Sequence, residues 1–74
     1  MGISYKKLWK LLVDNQMKKS DLYKAADISG YTATKLNKNE PVPLEALMRI
    51  CKVFHCDIGE IMELIWENEH WFNA

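Results

Sequence analysis

Residues 17–38 decide the fold of this chain, and they read MKKSDLYKAADISGYTATKLNK. The pattern predicts two short helices, over about 19–26 and 30–38, joined by a tight corner. Asp27 tolerates the left-handed backbone that such a corner requires, and Ile28 is expected to anchor the corner in the core. The middle of the chain is therefore predicted to be a helix–corner–helix unit.

The two predicted helices differ in how much of their surface is apolar. The first carries a small buried face of Leu22, Ala25 and Ala26, which lets another helix approach closely. The second is expected to begin after Ser29, a good N-cap. It has only Ala33 and Leu36 for the core, so its polar and protruding side chains are left for solvent or for a partner, namely Tyr31, Thr34, Lys35 and Lys38.

Three further amphipathic segments flank this unit, and no segment has the alternation of a strand. The first, over 4–16, takes Ser4 as its N-cap and is expected to bury Tyr5, Leu8, Trp9, Leu12 and Val13. The next, over 44–54, has Pro43 in its first turn and is expected to bury Leu44, Leu47, Met48, Cys51 and Phe54. Asp57 and Glu60 form a capping pair for a last helix over 58–68. The sequence thus predicts an all-α bundle of five helices in a single domain, 1–74.

Charge is distributed unevenly although the ten basic and ten acidic residues cancel. Residues 1–38 carry eight lysines and three aspartates, and residues 39–74 carry two basic and seven acidic residues. A basic half suited to a polyanion therefore precedes an acidic half. The chain has no apolar run that would span a bilayer and no signal-peptide core, so we expect a cytoplasmic protein without a membrane partner.

The sequence offers little for catalysis or metal binding. Cys51, His55 and Cys56 are close together, but a fourth metal ligand is missing and Cys51 fits an apolar helix face. No phosphate-binding glycine loop, nucleophile elbow or paired carboxylates are present. We expect free thiols, no metal, no cofactor, no small-molecule ligand and no enzymatic activity.

Two short helices joined by a four-residue corner, with one helix before them and two after, describe a helix-turn-helix domain. The stretch from Met17 to Met62 resembles the lambda-repressor/Cro-type (Xre-like) helix-turn-helix family, in particular its short single-domain members. The resemblance rests on Met17-Lys-Lys-Ser-Asp-Leu22, on Ile28-Ser29 at the corner, on Ala33 and Leu36, and on LEALMRICKVFHCDIGEIM over 44–62. The chain departs from the family pattern at Tyr23, Asp27 and Gly30.

The resemblance implies a sequence-specific DNA-binding transcriptional regulator, expected to be a repressor, whose recognition helix enters the major groove of duplex DNA. It implies that Tyr31, Thr34 and Lys35 contact bases, and that Lys18, Lys19, Ser29 and Lys38 contact the backbone. With the first turn of the recognition helix included, the expected DNA-contacting residues are Lys18, Lys19, Ser29, Gly30, Tyr31, Thr32, Thr34, Lys35 and Lys38, within a motif of about 18–38.

The C-terminal tail, 66–74, is rich in aromatic residues, and Trp66, Trp71 and Phe72 either fold back onto the first helix or form a homodimer contact. A homodimer suits the motif because one monomer reads only a half-site of the DNA, and two copies related by two-fold symmetry read two half-sites. A second function also stays open, a protein-interaction module of the antitoxin or inhibitor type on the same fold. Zero net charge and the missing side chain at Gly30 favour that alternative.

Overall fold

The computed structural model describes residues 2–66 of the chain. Within these residues the protein forms four α-helices, one 3₁₀ helix and a two-stranded antiparallel sheet. In chain order the elements are β1 (Gly2–Ser4), α1 (Lys6–Asp14), α2 (Lys19–Ala25), α3 (Gly30–Asn37), α4 (Leu44–Phe54), the 3₁₀ helix (Ile58–Glu60) and β2 (Glu63–Ile65). The four α-helices confirm the first four helices of the prediction. The predictions of a fifth helix and of no strand were wrong.

Helix α1 begins two residues later than expected because Ser4 belongs to β1. The N-cap is Tyr5, and Ser4 Oγ accepts a hydrogen bond from the Lys6 amide at 3.2 Å. Leu8 and Leu12 form the buried face, but Val13, predicted to be buried, is 75% exposed. Val13 lies about 140° around the helix from Leu8, too far for both to face one core.

Tyr5 connects α1 to the loop before α4. Its ring is buried, its hydroxyl donates to the Glu40 carbonyl at 2.7 Å, and its amide donates to Asn39 Oδ1 at 3.2 Å. Burial raises the pKa of the Tyr5 phenol, although the backbone hydrogen bond to Val42 opposes the rise. Tyr5 thereby holds the first half of the α3–α4 connection against α1.

The corner between α2 and α3 confirms its predicted chemistry. Asp27 has a φ of 54°, in the left-handed region, and Ile28 is buried beneath the turn. Ser29 caps α3 by accepting the Thr32 amide on its Oγ at 3.2 Å. Leu22 and Ala26 are buried as expected, but Ala25 is exposed.

Helix α4 has the predicted bounds but turns a different face to the core. Ala46, Leu47 and Ile50 are its buried residues, whereas Leu44 and Met48 are 59% and 58% exposed. Cys51 and Phe54 are half-buried, and Pro43 is the N-cap rather than a first-turn residue. The three polar residues of this helix share one face and apolar residues cover the rest, so spacing alone did not determine which part of the wide apolar surface is buried.

The predicted fifth helix is replaced by a single 3₁₀ turn and a strand. Asp57 and Glu60 do form the predicted capping pair, in which the Asp57 amide donates to Glu60 Oε2 at 2.7 Å. The chain then extends, and β2 pairs with β1 in the register Gly2–Ile65, Ile3–Leu64 and Ser4–Glu63. Gly59 weakens helix propagation after the cap, and β1 supplies the backbone partner that an extended segment requires.

All four α-helices contribute to the core, whose largest fully buried side chains are Tyr5, Leu8, Leu22, Leu36, Ile50 and Ile61. This arrangement fixes α2 and α3 against α1 and α4 and leaves the outer surface of α3 uncovered. None of the helices in the described part of the chain has the length and apolar character needed to cross a bilayer.

Candidate nucleic-acid interface

The outer surface of α3 is the first part of the candidate interface. Tyr31 is 74% exposed, and Thr34 and Lys38 are also exposed on the side away from Ala33 and Leu36. Gly30, at the start of the helix, has no heavy atom within 4 Å of the position that a Cβ would occupy. A side chain would therefore fit there, and glycine leaves the backbone of the first turn unshielded.

Two of the hydroxyl groups predicted to contact DNA are already engaged within α3. Ser29 Oγ accepts the Thr32 amide and lies 3.2 Å from Thr32 Oγ1, and Thr34 donates its hydroxyl to the Gly30 carbonyl at 2.9 Å. Each hydroxyl oxygen keeps a lone pair that can accept a further bond. Ser29 and Thr34 are thus fixed in direction, and to bind a phosphate oxygen the Ser29 hydroxyl must turn its proton away from Thr32 Oγ1.

Lys35 lies across the surface instead of projecting from it. Its Nζ is 3.8 Å from Glu40 Oε1 and 5.0 Å from the centre of the Tyr31 ring, and 28% of its side chain is exposed. The Glu40 amide donates to the Lys35 carbonyl at 2.9 Å, which holds the loop beside the lysine. Glu40 therefore offsets part of the positive charge in the middle of the interface.

Lys19, at the start of α2, is held by uncharged groups. Its Nζ lies 2.6 Å from Asn37 Oδ1 and 4.2 Å from the centre of the Trp9 ring. Lys18 precedes it as the N-cap of α2, and its amide donates to Asp21 Oδ2 at 3.0 Å. The structure thus brings Lys19 beside the C-terminal end of α3.

The sequence reasoning missed Asn37, Trp9 and Glu40, which contact lysines of the candidate interface. Asn37 and Lys19 are 18 residues apart, and nothing in the periodicity of either helix pairs them. The only signal was an asparagine in the last turn of a helix, where this poor helix former usually has a local hydrogen-bonding reason. Asn37 has such a partner, since its amide donates to the Ala33 carbonyl at 3.0 Å.

Arg49 of α4 supports the corner that aims α3. Its Nε donates to the Ala26 carbonyl at 2.9 Å, and its Nη2 lies 3.4 Å from the Asp27 carbonyl. Its Nη1 also donates to Glu45 Oε1 at 2.9 Å. A cation at the C-terminal end of α2 complements the carbonyls that the helix leaves without partners.

Cys51, in α4, and Cys56, just after it, are both free thiols. Burial raises the pKa of Cys51 to about 11, and the neighbouring Cys56 thiol contributes to the rise. Burial also raises the pKa of Cys56, against a hydrogen bond from Cys51 that lowers it. Within residues 2–66, no three or more histidine, cysteine, aspartate or glutamate side chains come close enough to hold a metal ion.

The predicted dimer residues are only partly covered by the structure. Trp66, directly after β2, is 55% exposed, and the strand residues Leu64 and Ile65 are 46% and 43% exposed. Trp71 and Phe72 lie outside the described residues.

Comparisons with known proteins agree with this geometry. A sequence model of the Cro/C1-type helix-turn-helix DNA-binding domain matches residues 7–67, which include every residue of the candidate interface. The chain is also similar to a crystal structure of the transcriptional regulator VanUg, with 48% identity, a TM-score of 0.85, and coverage of 89% of this chain and 88% of that one. No curated protein matched the sequence.

Proposed function

Since the chain belongs to the Cro/C1-type helix-turn-helix DNA-binding family, we propose that it is a transcriptional repressor that binds a specific duplex sequence as a cytoplasmic homodimer. The observation that carries the proposal is the uncovered outer surface of α3, which presents Tyr31, Thr34 and Lys38 beside the basic start of α2. The similarity to a transcriptional regulator over most of both chains supports the regulatory role.

In this proposal α3 lies in the major groove with its N-terminal half nearest the base edges. Tyr31 and Thr34 contact bases, and Lys35 bonds the acceptor edge of a guanine. Gly30 and Thr32 bring the backbone of the first turn close to the DNA. The residues that hold phosphates are Lys18, Lys19, Ser29 and Lys38, and they carry no sequence information.

Lys35 must leave Glu40 to reach a base. The cost is small, because a half-exposed ion pair at 3.8 Å is worth at most about 1 kcal/mol. A good base contact returns about 1–3 kcal/mol against the wrong base. The exchange of Glu40 for a guanine as the partner of Lys35 is therefore favourable at the right sequence and close to neutral at a wrong one.

The experiment compares Lys35→Met with Lys19→Met on the duplex preferred in a selection from random DNA and on a random duplex. Methionine keeps the apolar stem and removes only the charge. Lys35→Met should weaken binding to the preferred duplex more than to the random one. Lys19→Met should weaken both equally and lower the slope of log affinity against log salt by about one unit.

Lys52→Met is the matched control, because it makes the same change in net charge on α4, outside the candidate interface. It should alter neither the preference for sequence nor the salt slope. If the wild-type protein shows no preference among duplexes at low salt, the repressor proposal fails. The acidic surface that includes Asp57, Glu60 and Glu63 then becomes the site to test for a protein partner.

The homodimer is proposed to form through the end of the chain, where Leu64, Ile65 and Trp66 are exposed and Trp71 and Phe72 follow. Two copies related by a two-fold axis would read two half-sites. Trp66→Glu should shift the protein toward monomer in analytical ultracentrifugation, whereas Val13→Glu, at another exposed apolar position, should not. A wild-type monomer at micromolar concentration would refute this part of the proposal.

A further inference from the structure

The side chain of Lys19 belongs to a cluster of four side chains from three helices. Trp9 comes from α1, Lys19 and Tyr23 come from α2, and Asn37 comes from α3; we name them the Lys19 cluster. The ammonium contacts two of the others directly, at 2.6 Å to Asn37 Oδ1 and 4.2 Å to the centre of the Trp9 ring.

The amide of Asn37 is oriented by its own partners. Its Nδ2 donates to the Ala33 carbonyl at 3.0 Å and to the Tyr23 hydroxyl at 3.4 Å, which turns Oδ1 toward Lys19. The opposite orientation of the amide would set Oδ1 against a carbonyl oxygen and set Nδ2 against a cation, and both contacts repel. The chemistry of the neighbours therefore determines that Asn37 accepts from Lys19.

The partners of Lys19 restrain its side chain without cancelling its charge. Asn37 is neutral, and the ring face of Trp9 attracts a cation through its quadrupole. Lys35 differs, because its partner Glu40 carries a negative charge. An ammonium has three donors, so the hydrogen bond to Asn37 leaves donors for a phosphate.

We infer that Asn37 and Trp9 are positioning residues that hold the Lys19 ammonium ordered, through neutral groups, for one phosphate of the DNA backbone. The inference rests on the proposed function and adds to it the reason why this lysine contributes to affinity. A free lysine loses its rotamer freedom when it binds, whereas a lysine already held in place loses much less. Asn37 acts through Lys19 and does not itself contact DNA.

The experiment is a double-mutant cycle measured against salt, with fluorescence anisotropy of a labelled duplex as the readout. The four proteins are the wild type, Lys19→Met, Asn37→Ala and the double variant. Asn37→Ala should weaken binding by about 2- to 10-fold, the range expected for ordering one long side chain on binding. It should leave the salt slope at the wild-type value, because Lys19 still neutralises its phosphate, whereas Lys19→Met should reduce the slope by about 0.9.

In the Lys19→Met background, Asn37→Ala should have almost no further effect. Asn15→Ala is the matched control, since the Asn15 amide likewise donates to the carbonyl four residues earlier, that of Leu11, at 2.8 Å. This control should keep the wild-type affinity. Thermal melts of all the variants separate loss of folding from loss of binding.

Three outcomes would overturn the inference. Additive effects of Asn37→Ala and Lys19→Met would mean that Asn37 contacts the DNA itself or acts only through stability. A reduced salt slope in Asn37→Ala alone would mean that Lys19 no longer neutralises its phosphate, so that Asn37 does more than order a contact that forms without it. A wild-type protein that binds duplex DNA yet gives additive effects overturns only this inference. A wild-type protein that does not bind duplex DNA overturns the proposed function as well.

Discussion

Arg49→Met is the most informative perturbation of the fold, because Arg49 connects α4 to the corner of the helix-turn-helix. The substitution keeps a long apolar stem and removes all the guanidinium contacts. The Ala26 carbonyl then loses its 2.9 Å donor, and Ala26 is only 3% exposed, so water replaces the arginine poorly there. The Asp27 carbonyl loses a longer contact of 3.4 Å at an exposed residue.

The expected loss follows from these contacts. A hydrogen bond to a charged group contributes about 1.5–3 kcal/mol, and the Arg49 side chain is 38% exposed, which favours the lower end. The i,i+4 pair with Glu45 adds about 0.3–0.5 kcal/mol. We therefore expect the free energy of unfolding to fall by about 2 kcal/mol, which for a domain of this size lowers Tm by about 8–16 °C.

Thermal and urea unfolding followed by circular dichroism at 222 nm measure the effect. Glu45→Gln is the control, because it removes the ion pair and one acidic group from the first turn of α4 but leaves the Ala26 contact in place. It should cost at most about 1 kcal/mol. If Arg49→Met melts within a few degrees of Glu45→Gln, the bond to the Ala26 carbonyl does not stabilise the corner and the reasoning is wrong.

The thiols, the loop glutamate and the end of α4 each give a further prediction. Because burial raises the pKa of Cys51 to about 11 and also raises that of Cys56, a thiolate-selective reagent at pH 8 should label the folded protein more slowly than the denatured one, and Cys51 more slowly than Cys56. Equal labelling of folded and denatured protein would contradict this account. The pKa of Cys51 is near 9.0 in the unfolded chain, so the thiol ionises there first. The free energy of unfolding should therefore fall as the pH rises from 9.0 toward 11. Glu40→Gln frees Lys35 and should raise affinity for duplex DNA by about 2- to 5-fold in anisotropy titrations, whereas unchanged affinity would mean that the ion pair does not restrain the lysine. His55→Gly should stabilise the fold by about 1 kcal/mol in a thermal melt, since φ at His55 is 51°, where a Cβ is strained, and a lower Tm would refute this.

The sequence alone determined the parts of the protein that depend on contacts between near neighbours in the chain. Asp27 indicated the left-handed corner, and Ser29 indicated the start of α3 through a hydrogen bond to an amide three residues later. Asp57 and Glu60 indicated their capping pair for the same reason. The polar outer face of α3 was also predictable, because only Ala33 and Leu36 among its residues are placed for the core, and that face led to the candidate interface.

Tertiary structure decided the features for which the local pattern was compatible with more than one outcome. The apolar surface of helix α4 is wider than the part that the core covers, so only tertiary packing determined that Ile50 is buried and Met48 is exposed. The segment after Glu60 has apolar residues suited to a helix or a strand, and the pairing of Leu64 with Ile3, 61 residues away, selected the strand. Lys19 met Asn37 only because α2 and α3 cross at the corner. Local hydrogen bonds and caps can be predicted from nearby residues. The buried face of a helix, the partner of a strand and a contact between helices depend on which distant segments pack against them, and only the folded chain determines that.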